Sequence, residues 1–173
     1  MTAELVPILS KEEIQQKISE VALKISEDYQ GKELLIIGIL KGAFIFLSDL
    51  VRNLSIPVQI DFVRASSYGD ATSSSGKITL THTVQTDVRN RHLLIVEDIV
   101  DTGQTLSYLK DYFQSCGPAS VSICAFIDKI ERRETNITVD YRCYSTHEGF
   151  LVGYGLDYAE KYRELPGLYH LKI

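Results

Sequence analysis

Two acids, Glu97 and Asp98, close the apolar run Leu93, Leu94, Ile95 and Val96. A loop of small polar residues, Asp101-Thr102-Gly103-Gln104-Thr105, then leads into an amphipathic segment. Adjacent carboxylates at the end of a buried run are costly to desolvate unless hydroxyls, cations or water meet them. Hydroxyls, an unhindered glycine and the free amides of a helix start suit a phosphate monoester. Together these features can hold a phosphorylated sugar, its hydroxyls donating to the acids and its phosphate accepting from the loop. Simple helix capping by Asp101 or Thr102 is the plain alternative for the loop taken alone. Two other polar pairs follow apolar runs in the same way, Lys41-Gly42 after 34–40 and Asp128-Lys129 after 121–127. In open α/β sheets ligands sit beyond the carboxyl ends of the strands, so all three places qualify by position.

The elements that must carry these residues alternate along the chain. Ser10 with Glu13 fits a capping box, and Ile14, Ile18, Val21, Ala22 and Ile25 recur at helical spacing up to Gly31. Residues 34–40 form a short continuous apolar run, as expected of a strand covered on both faces. Phe44, Leu47, Val51 and Leu54 predict a second helix, and 58–64 a second strand. Residues 66–77 are rich in Ser and Gly and read as a mobile loop, followed by a threonine-rich strand or hairpin over 78–84. A strand over 93–96 that stops at Glu97 comes next. Leu106, Leu109, Phe113 and Cys116 then mark a helix ended by Gly117-Pro118, and strands are expected over 121–127 and 139–144. This alternation predicts a single α/β domain spanning 1–173 with an open, mainly parallel sheet.

Composition narrows the function. The 173 residues carry a net charge of -5, which argues against a broad electrostatic footprint for nucleic acid. Three cysteines without CxxC spacing indicate free thiols in a reducing compartment rather than a disulfide framework or a zinc knuckle. The start of the chain lacks the basic and apolar regions of a signal peptide, and no apolar run reaches membrane-spanning length. A soluble, cytoplasmic protein without nucleic-acid or membrane partners is expected.

At VEDIVDTGQT the chain closely resembles the 5-phosphoribosyl 1-diphosphate (PRPP) motif of type I phosphoribosyltransferases, more narrowly their hypoxanthine-guanine branch. The likeness continues in order through LKGAF, DFVRASSYG, the strand ending in DK, and FLVGYGLDYAEKYRELP. It implies a type I phosphoribosyltransferase fold, with a mainly parallel central sheet flanked by helices, a small base-binding hood and a flexible closing loop that starts at Ser67 and Tyr68. The implied reaction exchanges the pyrophosphate of PRPP for hypoxanthine or guanine, giving IMP or GMP. By resemblance, Glu97 and Asp98 bind the ribose and loop 101–105 binds the 5'-phosphate, with Asp101 as general base at purine N7. Lys41, Gly42 and Arg163 meet pyrophosphate. Lys129, Phe150, Leu151 and Asp157 form the base side, with Lys129 at the 6-oxo group, Phe150 stacking and Leu151 offering its backbone. Mg2+ is the implied cofactor, with Glu97, Asp98 and Asp157 as its ligands. The family also implies a homo-oligomer, dimer or tetramer, and associates the Leu40-Lys41 peptide with a cis geometry.

The chain departs from the family pattern in two places. Gln104 stands where Lys or another polar residue is common, and STHEGF over 145–150 lacks the usual proline and acids, bringing His147 and Gly149 to the base-side loop. His82, His92 and His170 show no metal-ligand spacing. Two other classes compete. A nucleic-acid-binding regulator on the same fold would need a basic face, of which the chain offers only short clusters around 89–92 and 129–133. A phosphoacceptor receiver would carry its acid pair near the N-terminus rather than in mid-chain.

Overall fold

A computed structural model of the chain describes residues 4–68, 77–147 and 149–172. Strand β1 (Glu4–Leu9) leads into helix α1 (Lys11–Asp28), whose start is held by the expected capping box. The Glu13 amide donates to Ser10 Oγ at 3.2 Å and the Ser10 amide to Glu13 Oε2 at 2.8 Å. Then follow β2 (Leu34–Ile39), α2 (Phe44–Asn53), β3 (Val58–Tyr68), β4 (Lys77–His82), β5 (His92–Val100), α3 (Gln104–Ser115), β6 (Ser120–Lys129), β7 (Tyr141–Thr146), β8 (Leu151–Val152) and β9 (Leu168–Lys172).

Six strands form the central sheet in the order β4-β3-β2-β5-β6-β7. All its neighbours run parallel except β4, which pairs antiparallel with β3. The expected mainly parallel α/β architecture is therefore present. Because successive side chains on a strand point to opposite faces, β2 feeds two cores. Leu34 and Ile36 join Ile14, Ile18, Ala22 and Ile25 of α1 and Phe46, Leu47 and Leu50 of α2. Leu35, Ile37 and Ile39 join Leu106, Leu109 and Phe113 of α3.

A second, antiparallel sheet, β1-β9-β8, ties the two ends of the chain together over the first core, through Leu151, Tyr154, Leu156 and Leu168. Its attachment is aromatic. The Phe126 ring of β6 lies 5.6 Å from Phe46 of α2 and 4.9 Å from Tyr154, just past β8.

Four expectations change. Strand β5 does not stop at Glu97 but continues to Val100, because β6 keeps pairing with it through Val100↔Asp128. The stretch 66–77 is not loop throughout: Ser66, Ser67 and Tyr68 extend β3 and pair with Thr79, Ile78 and Lys77 of β4. The closing-loop residues Ser67 and Tyr68 thus sit at the end of a hairpin, and 69–76 lies outside the described residues. Helix α2 is rotated from its expected phase, burying Phe46, Leu47 and Leu50 while Phe44 is 48% exposed. The reason is that Phe46 packs on Phe126 of the sheet. Strands β1, β8 and β9 were not expected, being short and without clear alternation.

Phe126 is fully buried and joins the sheet, α2 and the second sheet. Phe126→Ala is expected to cost about 3–5 kcal/mol of stability, read as a lower midpoint in urea denaturation.

Candidate active site

The site begins where two parallel neighbours end at different places. β2 pairs with β5 only as far as Gly38↔Val96, while β6 accompanies β5 to Val100. Past Val96 the β2 side of β5 therefore lacks a ladder partner, and here the two acids accept from amides of their own strand. The Asp98 amide donates to Glu97 Oε1 at 3.1 Å, and the Ile99 amide to Asp98 Oδ1 at 2.8 Å.

The turn after β2 folds directly over this notch. A Cβ at Gly42 would collide with Asp98 Oδ2 and lie 2.5 Å from its Cγ, so no other residue fits there without moving the carboxylate. The Leu40-Lys41 peptide in the same turn is cis, as the family resemblance implies. Burial raises the Glu97 pKa well above the usual carboxylate range, and the Asp98 charge adds to the effect. Burial also raises Asp98, against the hydrogen bonds from Glu97 and the Ile99 amide and the field of Arg163, which lower it. Arg163 and the hydrogen bonds thus offset only part of the cost of burying the pair. Hydroxyl donors or a hard cation would satisfy it.

Beside it lies the polar loop. The N-cap of α3 is Gly103, in the left-handed region at φ 82°, and no side chain caps the helix. Capping by Asp101 or Thr102 is therefore not what the loop does; only a long 3.4 Å contact joins the Gln104 amide to Thr102 Oγ1. The loop's carbonyls are turned away to the segment after β6. Thr102 O accepts from the Glu134 amide at 2.9 Å and from Thr135 Oγ1 at 3.3 Å, and Asp101 O from Arg133 Nε at 3.2 Å. The Gln104 side chain is turned the same way and donates to Glu134. This leaves a cleft of about 130 Å³ lined by Glu97, Asp101, Thr102, Gly103 and Thr105. The Asp101 carboxylate is half engaged: Oδ2 meets Arg132 NH1 at 3.2 Å, while Oδ1 is buried without a hydrogen-bond partner.

On the β6 side, Asp128 lies within the strand, 3% exposed, with Arg133 and Arg142 both donating to it, the latter at 2.8 Å. Lys129, next to it on the strand, points to the opposite face. Arg133, which sequence reasoning missed, joins four places at once, the Ile137 carbonyl at 3.4 Å among them. It bonds the Asp101 carbonyl, the Asp128 carboxylate and, at 3.5 Å, the Lys129 carbonyl. Phe150 is 48% exposed and meets Tyr158 edge-on, with centroids 5.5 Å apart. Leu151 buries its side chain in β8, an edge strand of the second sheet, so one side of its backbone has no strand beside it. Gly149 adopts φ 100° and His147 is exposed.

The remaining residues form one charged group. Asp157 Oδ1 accepts from Arg163 NH2 at 2.9 Å and its Oδ2 from the Glu160 amide at 2.9 Å. Arg163 NH1 donates to the Gly155 carbonyl at 2.7 Å, and Arg163 Nε is buried without a partner. Lys41 Nζ donates to Glu160 Oε2 at 3.1 Å. Glu160 and Tyr158 were both missed in the sequence, where they read as ordinary members of DYAEKYRELP. Only their meeting with Lys41 and Phe150 distinguishes them. Among the described residues no three His, Cys, Asp or Glu side chains converge as a metal cage, and no helix is long and apolar enough to cross a membrane. A magnesium ion would need no such cage, since it is commonly held by one or two carboxylates together with substrate oxygens.

Residues 7–159 match the family described as phosphoribosyl transferase domain. The chain is 42% identical over 165 residues to the hypoxanthine-guanine phosphoribosyltransferase of Streptococcus pneumoniae, covering 95% of this chain and 92% of that one. It is 41% identical over 165 residues to that of Bacillus subtilis, with the same coverage of 95% and 92%. A crystal structure of a hypoxanthine-guanine phosphoribosyltransferase from Bacillus anthracis, with a HEPES molecule in its active site, superposes with a TM-score of 0.92 at 38% identity, over 99% of this chain and 100% of that one. The hypoxanthine phosphoribosyl transferase of Trypanosoma cruzi, whose C-terminal region was studied for its role in oligomeric state and activity, superposes at 0.90 and 38% identity, over 96% and 90%.

The acid pair carries a stability consequence. Burial raises Glu97 in the folded chain above its unfolded value near 4.5, so ionising it opposes folding. The penalty begins as pH climbs past that unfolded value and is complete above the folded pKa. Glu97→Gln is therefore expected to stabilise the ligand-free protein by about 0.5–2 kcal/mol near neutral pH. The gain should shrink toward zero as pH falls into the ordinary carboxylate range, which paired thermal melts across pH would show.

Proposed function

The chain belongs to the phosphoribosyl transferase family, and from that membership we propose that it transfers the 5-phosphoribosyl group of PRPP to hypoxanthine or guanine, releasing pyrophosphate with IMP or GMP. The observation that carries the reading is the adjacent carboxylates Glu97 and Asp98 beside a helix start that no side chain caps, with Glu97 and the loop lining one cleft. One site thus offers acceptors for sugar hydroxyls and donors for a phosphate.

Glu97 and Asp98 take the ribose hydroxyls, and the amides and hydroxyls of Asp101, Thr102, Gly103, Gln104 and Thr105 take the 5'-phosphate. As the bond from C1' to the base nitrogen forms, the bond from C1' to pyrophosphate breaks. Asp101, with its unpartnered Oδ1, holds the proton at purine N7. Lys129 donates to the 6-oxo group, a contact that the 6-amino group of adenine would oppose, donor against donor. The open ring of Phe150 stacks on the base, and the free backbone edge at Leu151 meets its rim. Lys41, Gly42 and Arg163 receive pyrophosphate. Glu97, Asp98 and Asp157 would hold Mg2+ with substrate oxygens, a hard cation neutralising charge on the departing diphosphate. Ser67 and Tyr68 begin the closing loop, which would keep water from the ribosyl centre.

The reading takes 1–173 as one phosphoribosyltransferase domain, assembled as a dimer or tetramer and working in the cytoplasm. Three free cysteines agree with a reducing compartment.

Purified protein with PRPP, magnesium and each purine in turn should release pyrophosphate with hypoxanthine or guanine and not with adenine; no product from any 6-oxopurine overturns the assignment. Asp101→Asn should lower kcat by about a hundredfold or more while the KM for PRPP stays nearly unchanged.

A further inference from the structure

Glu160 has no role in the reaction as described, yet it occupies the cations on which that reaction depends. Its Oε2 accepts from Lys41 Nζ at 3.1 Å and lies 3.6 Å from Arg163 NH2. We propose that Glu160 is a resident stand-in for the diphosphate: it neutralises Lys41 and Arg163 in the empty site, yields them when PRPP binds, and reclaims them as pyrophosphate leaves. This deepens the reading above and rests on its assignment of Lys41 and Arg163 to pyrophosphate.

Two features fit an exchange rather than a fixed strut. The Lys41 and Glu160 side chains are 49% and 65% exposed, and an exposed ion pair between long side chains is weak. A diphosphate with several negative charges would displace a single carboxylate from such a pair. Arg163, in contrast, is anchored without Glu160, by Asp157 Oδ1 at 2.9 Å and the Gly155 carbonyl at 2.7 Å. It keeps its place when the carboxylate departs.

The backbone aims Glu160 at this position. Ala159, Glu160 and Tyr162 all lie in the left-handed region, at φ 51°, 64° and 78°, which non-glycine residues adopt only when their surroundings enforce it. The Glu160 amide is tied to Asp157 Oδ2 at 2.9 Å, and Tyr158 and Lys161 exchange backbone hydrogen bonds of 3.0 and 3.1 Å. The turn can stay folded while the Glu160 side chain swings, because its own hydrogen bonds do not involve that carboxylate. An intramolecular anion at the product's cations competes with the product, so it weakens pyrophosphate binding and favours release.

The test is pyrophosphate binding by calorimetry in the presence of magnesium, alongside pyrophosphate inhibition of turnover, for wild type, Glu160→Gln and Glu160→Ala. Both variants remove the charge, and both should bind pyrophosphate about two- to fivefold more tightly with IMP affinity unchanged. A gain of affinity separates displacement from damage to the turn, which would weaken binding. Unchanged or weaker pyrophosphate binding in both variants, in a protein that still turns over PRPP, overturns the proposal alone. Absence of PRPP turnover and of pyrophosphate binding in the wild type removes the functional reading beneath it.

Discussion

Strand β5 is paired on one side farther than on the other, and the site depends on that offset. β6 follows it to Val100, but β2 leaves it after Val96. In a sheet interior, unpartnered amides would be costly. Near this end of β5 the carboxylates of Glu97 and Asp98 accept from the Asp98 and Ile99 amides of their own strand. The acids are thereby held in a notch at the carboxyl edge of the sheet, with the Gly42 backbone against one of them. A longer β2 would close the notch with ladder hydrogen bonds and leave no room for a ligand.

Charge is distributed around this notch in two opposite ways. Asp128 is fully compensated by Arg133 and Arg142, and the Asp157 carboxylate is shared between Arg163 and the Glu160 amide. Asp128, so compensated, holds the frame. Burial raises the pKa values of Glu97 and Asp98, and Asp101 keeps one oxygen unpartnered. An acid left short of partners is common where a ligand completes the electrostatics.

Arg133 and the second sheet link the separate parts of the site. Arg133 spans from the Asp101 carbonyl to Asp128 and the Lys129 carbonyl, so the loop after β5 and the end of β6 share one rigid guanidinium. The β1-β9-β8 sheet brings Phe150, Leu151, Asp157 and Arg163 over the carboxyl edge through the Phe126–Tyr154 contact. Lys129 stands on the central sheet, and Leu151 on the second.

The local parts of this arrangement were readable from the residues themselves. Ser10 and Glu13 predicted their capping box, the apolar runs predicted the parallel strands, and ordered motifs from LKGAF to DYAEKYRELP marked the family and its site residues. The cap, the strands and the family each depend on neighbours close in sequence or on a pattern along one segment, while the roles of the site residues are part of the proposal. The extent of β5 beyond Glu97, the phase of α2, the uncapped start of α3, the pressing of Gly42 on Asp98 and the capture of Lys41 by Glu160 were decided only in the tertiary structure. Periodicity reports which face of a segment is buried, but where one strand outruns another, and which distant charges meet, is set by packing between elements that no local pattern encodes.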